Sequence, residues 1–134
     1  MKEIDHIGVA VRDVDEALTF FEETLGLKLE ETREVAIEKV KIAFLSTGNT
    51  KIELLEPTSE ESAIASFLEK RGEGIHHIAV VVDDINKALD DMRRAGVKII
   101  YEEPRVRDDG AKISFLHPKD THKVFIEFIE KPKP

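Results

Sequence analysis

DHIGVAVRDVDEAL, residues 5–18, returns as HHIAVVVDDINKAL at residues 76–89, a constant offset of 71. Working outward, the offset is 70 after Gly26 and Gly96, and 71 again where KIAFL (41–45) matches KISFL (112–116). It is 74 where KIELLE (51–56) meets VFIEFIE (124–130), because the turn HPKDTHK of the second copy is longer than STGNTK of the first. Four matching blocks in one order along the chain indicate an internal duplication, and the period of a repeat is the strongest clue to architecture.

Each copy parses in the same way. Residues 3–11 alternate as a strand; Val14, Ala17, Leu18 and Phe21 then fall at helical spacing, with Asp13 as N-cap, Glu16 three residues on and Gly26 past the end. Ile85, Ala88, Leu89 and Met92 repeat this stripe between Asp84 and Gly96. Further strands are predicted around 27–34 with 97–102, 38–46 with 110–116, and 51–56 with 123–130. A linker helix over about 58–73 places Ile64, Phe67 and Leu68 on one face. The expected organisation is one α+β domain: repeat 1 over about 1–57, the linker, and repeat 2 over about 74–134. Two β-α-β-β-β units, each too small to cover its own sheet, are expected to pack as a pseudo-symmetric pair.

The net charge of −8 on 134 residues argues against a nucleic-acid backbone as partner, since that needs a clustered basic surface. No apolar run approaches the roughly 20 residues of a membrane helix, there is no cysteine, and the N-terminus has no signal-peptide pattern. These features give a soluble, cytoplasmic expectation with no membrane partner. Abundant Glu, Lys and Arg, with no Gln and two Asn, is a balance associated with proteins of thermophiles.

Strand alternation then picks out candidate ligands. Ile7, Val9 and Val11 share one face; His6, Gly8 and Ala10 share the other, and His77, Ala79 and Val81 repeat the second set. Glu53 lies between Ile52 and Leu54, and Glu127 between Ile126 and Phe128. A carboxylate buried there requires a partner, because an isolated buried charge costs several kcal/mol. One His and one Glu at equivalent positions of both copies give two imidazoles and two carboxylates, a ligand set for a first-row divalent ion. Four protein ligands on an ion that takes six leave two positions for a bidentate substrate or water, the pattern of a catalytic site. His76 points to the opposite face and His122 to solvent. His117 and Lys119 are candidates for the site mouth, and Lys41, Lys112 and Ser114 for a substrate-facing role, since Lys41 and Lys112 match in the two copies beside small Ala43 and Ser114.

With repeat and ligands in view, the chain resembles the vicinal oxygen chelate superfamily and, within it, the methylmalonyl-CoA epimerase family. The resemblance rests on DHIGVAV, GNTKIELLEP (48–57), SAIASFLEKRGEGIHHIAVVVDDI (62–85) and FLHPKD (115–120). It implies paired modules forming a cupped mixed sheet, metal ligands at His6, Glu53, His77 and Glu127, one divalent ion (cobalt, with nickel, manganese or zinc as alternatives), an acyl-CoA thioester substrate and a homodimer. The implied chemistry is abstraction of the C2 proton and its return to the opposite face. Glu127 is one acid–base; Glu53 or Lys41 is the second, since a glutamate that some relatives use on the third strand aligns with Lys41. The nearest rival is a glyoxalase I, lactoylglutathione lyase, which uses the same ligand set. An extradiol dioxygenase needs only three ligands, and a metal-free small-molecule-binding module of the same fold has no use for four.

Overall fold

The computed structural model describes residues 3–133. The first copy forms β1 (Ile4–Ala10), α1 (Val14–Leu18) with a π-helical turn (Thr19–Thr24), β2 (Lys28–Val35), β3 (Val40–Ser46) and β4 (Lys51–Pro57). After α2 (Ala63–Arg71), the second copy forms β5 (Gly74–Val81), α3 (Ile85–Arg94), β6 (Arg105–Val106), β7 (Lys112–Leu116), a 3-10 turn (Pro118–Asp120) and β8 (Phe125–Glu130). The chain divides into two compact units: one spans His6–His76, and the other runs from His77 onward and takes in the chain up to Asp5. In the second unit Val81 N donates to Glu3 O at 2.9 Å, and Lys131 Nζ lies 3.2 Å from Asp5.

The two units share one strand plan. In the first the order is β2-β3-β4-β1, with β1 parallel to β4 and β3 antiparallel to both its neighbours. In the second it is β5-β8-β7-β6, with β5 parallel to β8 and β7 antiparallel to both its neighbours. The first copy's helix covers one face of its unit, where Val14 meets Val11, Ala43, Leu45 and Leu54, with Ala17, Leu18 and Phe21 against them. The linker helix α2 covers the other, packing Ile64 and Leu68 on Ala10, Ile42, Phe44 and Leu55. In the second unit α3 sets Ile85 and Leu89 on Val82, Leu116 and Phe128, while Ala79, Val81, Ala111, Ile113 and Ile129 cluster together.

Both helix starts form as the repeat requires. Asp13 accepts from Glu16 N and Asp84 from Lys87 N, each satisfying a free amide of the first turn. A second tether comes from the end of the last strand of each copy: Val14 N donates to Glu56 Oε1 at 2.8 Å, and Ile85 N to Glu130 Oε1 at 2.9 Å. Glu56 and Glu130 are repeat partners, so each helix is held by its own sheet. Glu130→Ala is expected to cost about 1.5 kcal/mol, the scale of a hydrogen bond to a charged group, measured by urea unfolding at fixed pH.

The helices differ where the repeat slips. From Leu18 to Gly26 the first copy has one residue more than the second has from Leu89 to Gly96. The surplus sits where Thr19–Thr24 winds as a π-helix, with Leu25 N donating to Phe20 O, and α3 stays regular. A one-residue insertion in a helix is accommodated by such a bulge.

One expected strand is not formed. Residues 97–102 pair through an isolated bridge from Ile99 to Leu116, flanked by Ile100 N donating to Phe115 O and His117 N donating to Lys98 O, and regular pairing begins at Arg105. Backbone groups of the segment go to side chains instead, Lys98 N donating to Asp120 Oδ2 and Tyr101 O accepting from Ser114 Oγ, so a longer ladder does not form.

Candidate functional site

In the first unit β1 and β4 run side by side with Gly8 opposite Glu53, and the small glycine leaves room for the neighbouring imidazole to reach across. His6 Nδ1 lies 3.2 Å from Glu53 Oε2. The second unit repeats the device with Ala79 opposite Glu127, and His77 Nε2 lies 3.2 Å from Glu127 Oε1. All four side chains are buried: His6 is 1% exposed, Glu53 6%, His77 6% and Glu127 3%. Burying ionisable groups in an apolar sheet is costly unless they are paired or bind an ion, so the pair at equivalent positions of the two units is a built feature of each. Imidazole nitrogen and carboxylate oxygen together are the donor types of a divalent first-row ion, so the residues fit the group that the repeat implies.

An aromatic ring lies beside each carboxylate. Phe44 stands opposite Glu53 in the β3–β4 ladder, and Phe115 opposite Glu127 in the β7–β8 ladder. In the first unit Arg33 lies over the Phe44 ring at 5.0 Å. In the second, His77 meets Phe115 edge-on at 5.7 Å, Phe115 meets Tyr101 edge-on at 5.7 Å, and Arg105 stacks over Tyr101 at 3.7 Å. Sequence reading missed these residues, although the signal was available: Phe44 and Phe115 occupy the same position of the matching KIAFL and KISFL strings.

The lysine expectations fail on strand parity. Lys41 pairs with Glu56, on the face opposite Glu53, and its Nζ lies 3.8 Å from Asp15 of the first copy's helix. Lys112 pairs with Glu130, 3.8 Å away by ion pair, on the α3 side. Ser114 shares that side, fully buried, and donates to Tyr101 O at 2.8 Å. None of the three faces the His–Glu pair of its own unit; on β3 that face carries Val40, Ile42, Phe44 and Ser46. His117 accepts from Lys119 N through Nδ1 and caps the 3-10 turn, a structural task, while Lys119 is exposed. His76 packs edge-on against Phe67, and His122 is exposed.

Repeated sheet units, each with a buried His–Glu pair on two parallel neighbouring strands, define the class as the vicinal oxygen chelate fold. The chain matches the Glyoxalase/Bleomycin resistance protein/Dioxygenase superfamily over residues 5–115 and belongs to that superfamily. It is 38% identical to the ethylmalonyl-CoA/methylmalonyl-CoA epimerase of Cereibacter sphaeroides, with 92% of this chain and 94% of the relative covered. A methylmalonyl-CoA epimerase of Streptomyces coelicolor, solved in complex with 2-nitronate-propionyl-CoA, superposes with a TM-score of 0.88 at 38% identity over 97% of each chain. A hypothetical protein of Bacillus halodurans C-125 superposes with a TM-score of 0.93 at 46% identity, covering 98% of this chain and 96% of that one. Among the described residues no helix is long and apolar enough to cross a membrane.

Proposed function

We propose that the chain is a methylmalonyl-CoA epimerase, an isomerase that interconverts the (2R) and (2S) forms by moving the C2 proton. The observation that carries the reading is the buried His–Glu pair found once in each repeat, in a chain whose relatives with this name cover nearly its full length. His6, Glu53, His77 and Glu127 are the residues that would hold one divalent ion. When bound, that ion would supply Lewis-acid stabilisation of the negative charge that develops as the C2 proton leaves. Glu127 takes the C2 proton from one face and Glu53 returns a proton to the other, as carboxylates held in apolar surroundings are suited to do. Lys41 has no part in the transfer, because it lies on the opposite strand face. Cobalt is the proposed metal, and a cytoplasmic homodimer the proposed form.

The test is loss of the C2 proton of methylmalonyl-CoA in deuterated water. Exchange is expected in protein loaded with cobalt, and is expected to fall to background after chelation and return on re-addition. No exchange with any of cobalt, nickel, manganese or zinc would sink the reading. Turnover of the glutathione hemithioacetal of methylglyoxal in its place would make the chain a glyoxalase.

A further inference from the structure

The epimerase reading uses the His–Glu pairs and leaves unexplained a cation parked on an aromatic shelf in the second unit. Register places Arg105 beside Ile113, and Ile113 lies beside Ile129 on the same sheet face as Glu127 and His77. Arg105 is exposed, its guanidinium carbon over the Tyr101 ring at 3.7 Å from the centroid, a separation at which the two planes stack. Two ring contacts, Tyr101 to Phe115 and Phe115 to His77, connect that shelf to the buried pair.

Its neighbours in the β6–β7 hairpin are already committed. Arg107 lies 4.0 Å from Asp109, and Lys112 lies 3.8 Å from Glu130. In the first unit the arginine over the corresponding phenylalanine, Arg33, is drawn to Glu31 at 3.5 Å. Among the described residues no carboxylate pairs with Arg105, in a chain whose net charge is −8. A guanidinium stacked by its face keeps its N–H donors in the ring-parallel plane, pointing outward in a fork that matches a phosphate. The stacking also removes rotamer freedom that binding would otherwise have to freeze.

We propose, resting on the epimerase reading, that Arg105 held by Tyr101 binds a phosphate group of the acyl-CoA. The substrate carboxylate belongs with the reacting carbon at the buried glutamates; Arg105 is exposed and two rings removed from them. Beyond its reacting end an acyl-CoA carries a pantetheine arm of neutral amides and a hydroxyl and then its phosphates, so the group that matches a guanidinium fork is phosphate, either the diphosphate or the 3′-phosphate. Arg105 is therefore a substrate-binding residue that discriminates CoA thioesters from shorter thioesters and takes no part in proton transfer.

The experiment titrates coenzyme A by calorimetry into wild type, Arg105→Ala, Arg105→Lys and Tyr101→Leu, and compares KM and kcat for methylmalonyl-CoA and methylmalonyl-pantetheine. Arg105→Ala is expected to weaken coenzyme A about tenfold or more, as loss of charge-assisted hydrogen bonds does. It is expected to raise KM for methylmalonyl-CoA by a similar factor, with kcat within about twofold and the pantetheine KM unchanged, since a uniform binding contribution appears in KM alone. Arg105→Lys should restore part of the affinity and Tyr101→Leu lose part of it. Persistence of the effect with 3′-dephospho-CoA assigns the diphosphate; its disappearance assigns the 3′-phosphate. Unchanged affinity for coenzyme A in Arg105→Ala, or an equal loss with the pantetheine substrate, overturns the proposal. Wild type that binds coenzyme A through Arg105 without turning over methylmalonyl-CoA overturns the epimerase reading and leaves the phosphate-binding role standing.

Discussion

Glu53→Gln is expected to keep its metal and lose roughly a thousandfold in kcat for epimerisation, within the range that one general acid or base contributes. The amide oxygen can still serve as a ligand, whereas the amide cannot carry the proton. With Glu127 intact, such a variant should still wash out the C2 proton of one epimer in deuterated water without inverting it, because only one of two carriers has been lost. Glu127→Gln should show the mirror result, exchange confined to the other epimer. Lys41→Ala is expected to leave kcat within about twofold, since Lys41 reaches Asp15 on the far side of the sheet. Full epimerase activity in Glu53→Gln together with an inactive Lys41→Ala would reverse the assignment. Metal content by elemental analysis separates loss of a proton carrier from loss of the ion.

The largest expected effect on stability comes from the residue next to Glu127. Phe128 is 1% exposed and packs against Val82, Ile85, Leu89, Ile99 and Leu116, joining α3 to its sheet. Phe128→Ala removes most of a ring that the surrounding strands cannot collapse to replace, so a loss of about 3–5 kcal/mol is expected. A domain of this size has about 5–15 kcal/mol in total, so the variant should unfold at much lower urea and expose its core near physiological temperature. Phe128→Leu keeps much of the volume and should lose clearly less. Equal unfolding midpoints for wild type and Phe128→Ala would show that the cluster does not hold α3.

How much of this was legible beforehand depended on where each residue lay in the alternation. His6, Glu53, His77 and Glu127 were readable because the same polar residue interrupts an apolar strand in both copies. The faces of β3 and β7 were not. Val40, Ile42 and Phe44 are buried on one side, Ala43 and Leu45 on the other, so the period of two that normally assigns faces is absent. Small Ala43 and Ser114 were read as space for a ligand, when they are space for a helix and for a hydrogen bond to Tyr101 O. Arg105 escaped notice because it follows Pro104 in a stretch expected to have left its strand. Pairing with β7, which brings it beside Ile113, is a long-range contact that no local pattern records.

The π-helical turn also bears on the history of the chain. Two copies of one ancestral module begin at equal length, so the surplus residue between Leu18 and Gly26 dates from after the duplication, whether gained by one copy or lost by the other. The other changes of offset fall within β2, whose register shifts between Leu29 and Glu31, and in the turn leading into β8; the slip in β2 is of two residues, from Leu29 with Ile99 to Arg33 with Arg105, so its faces are kept. A helix can swallow a residue as a bulge and a turn can lengthen, but a strand that slips by one turns every side chain to the wrong face. Drift in length has thus been confined to a helix, an outer strand and a turn, segments that leave the direction of Glu53 and Glu127 untouched.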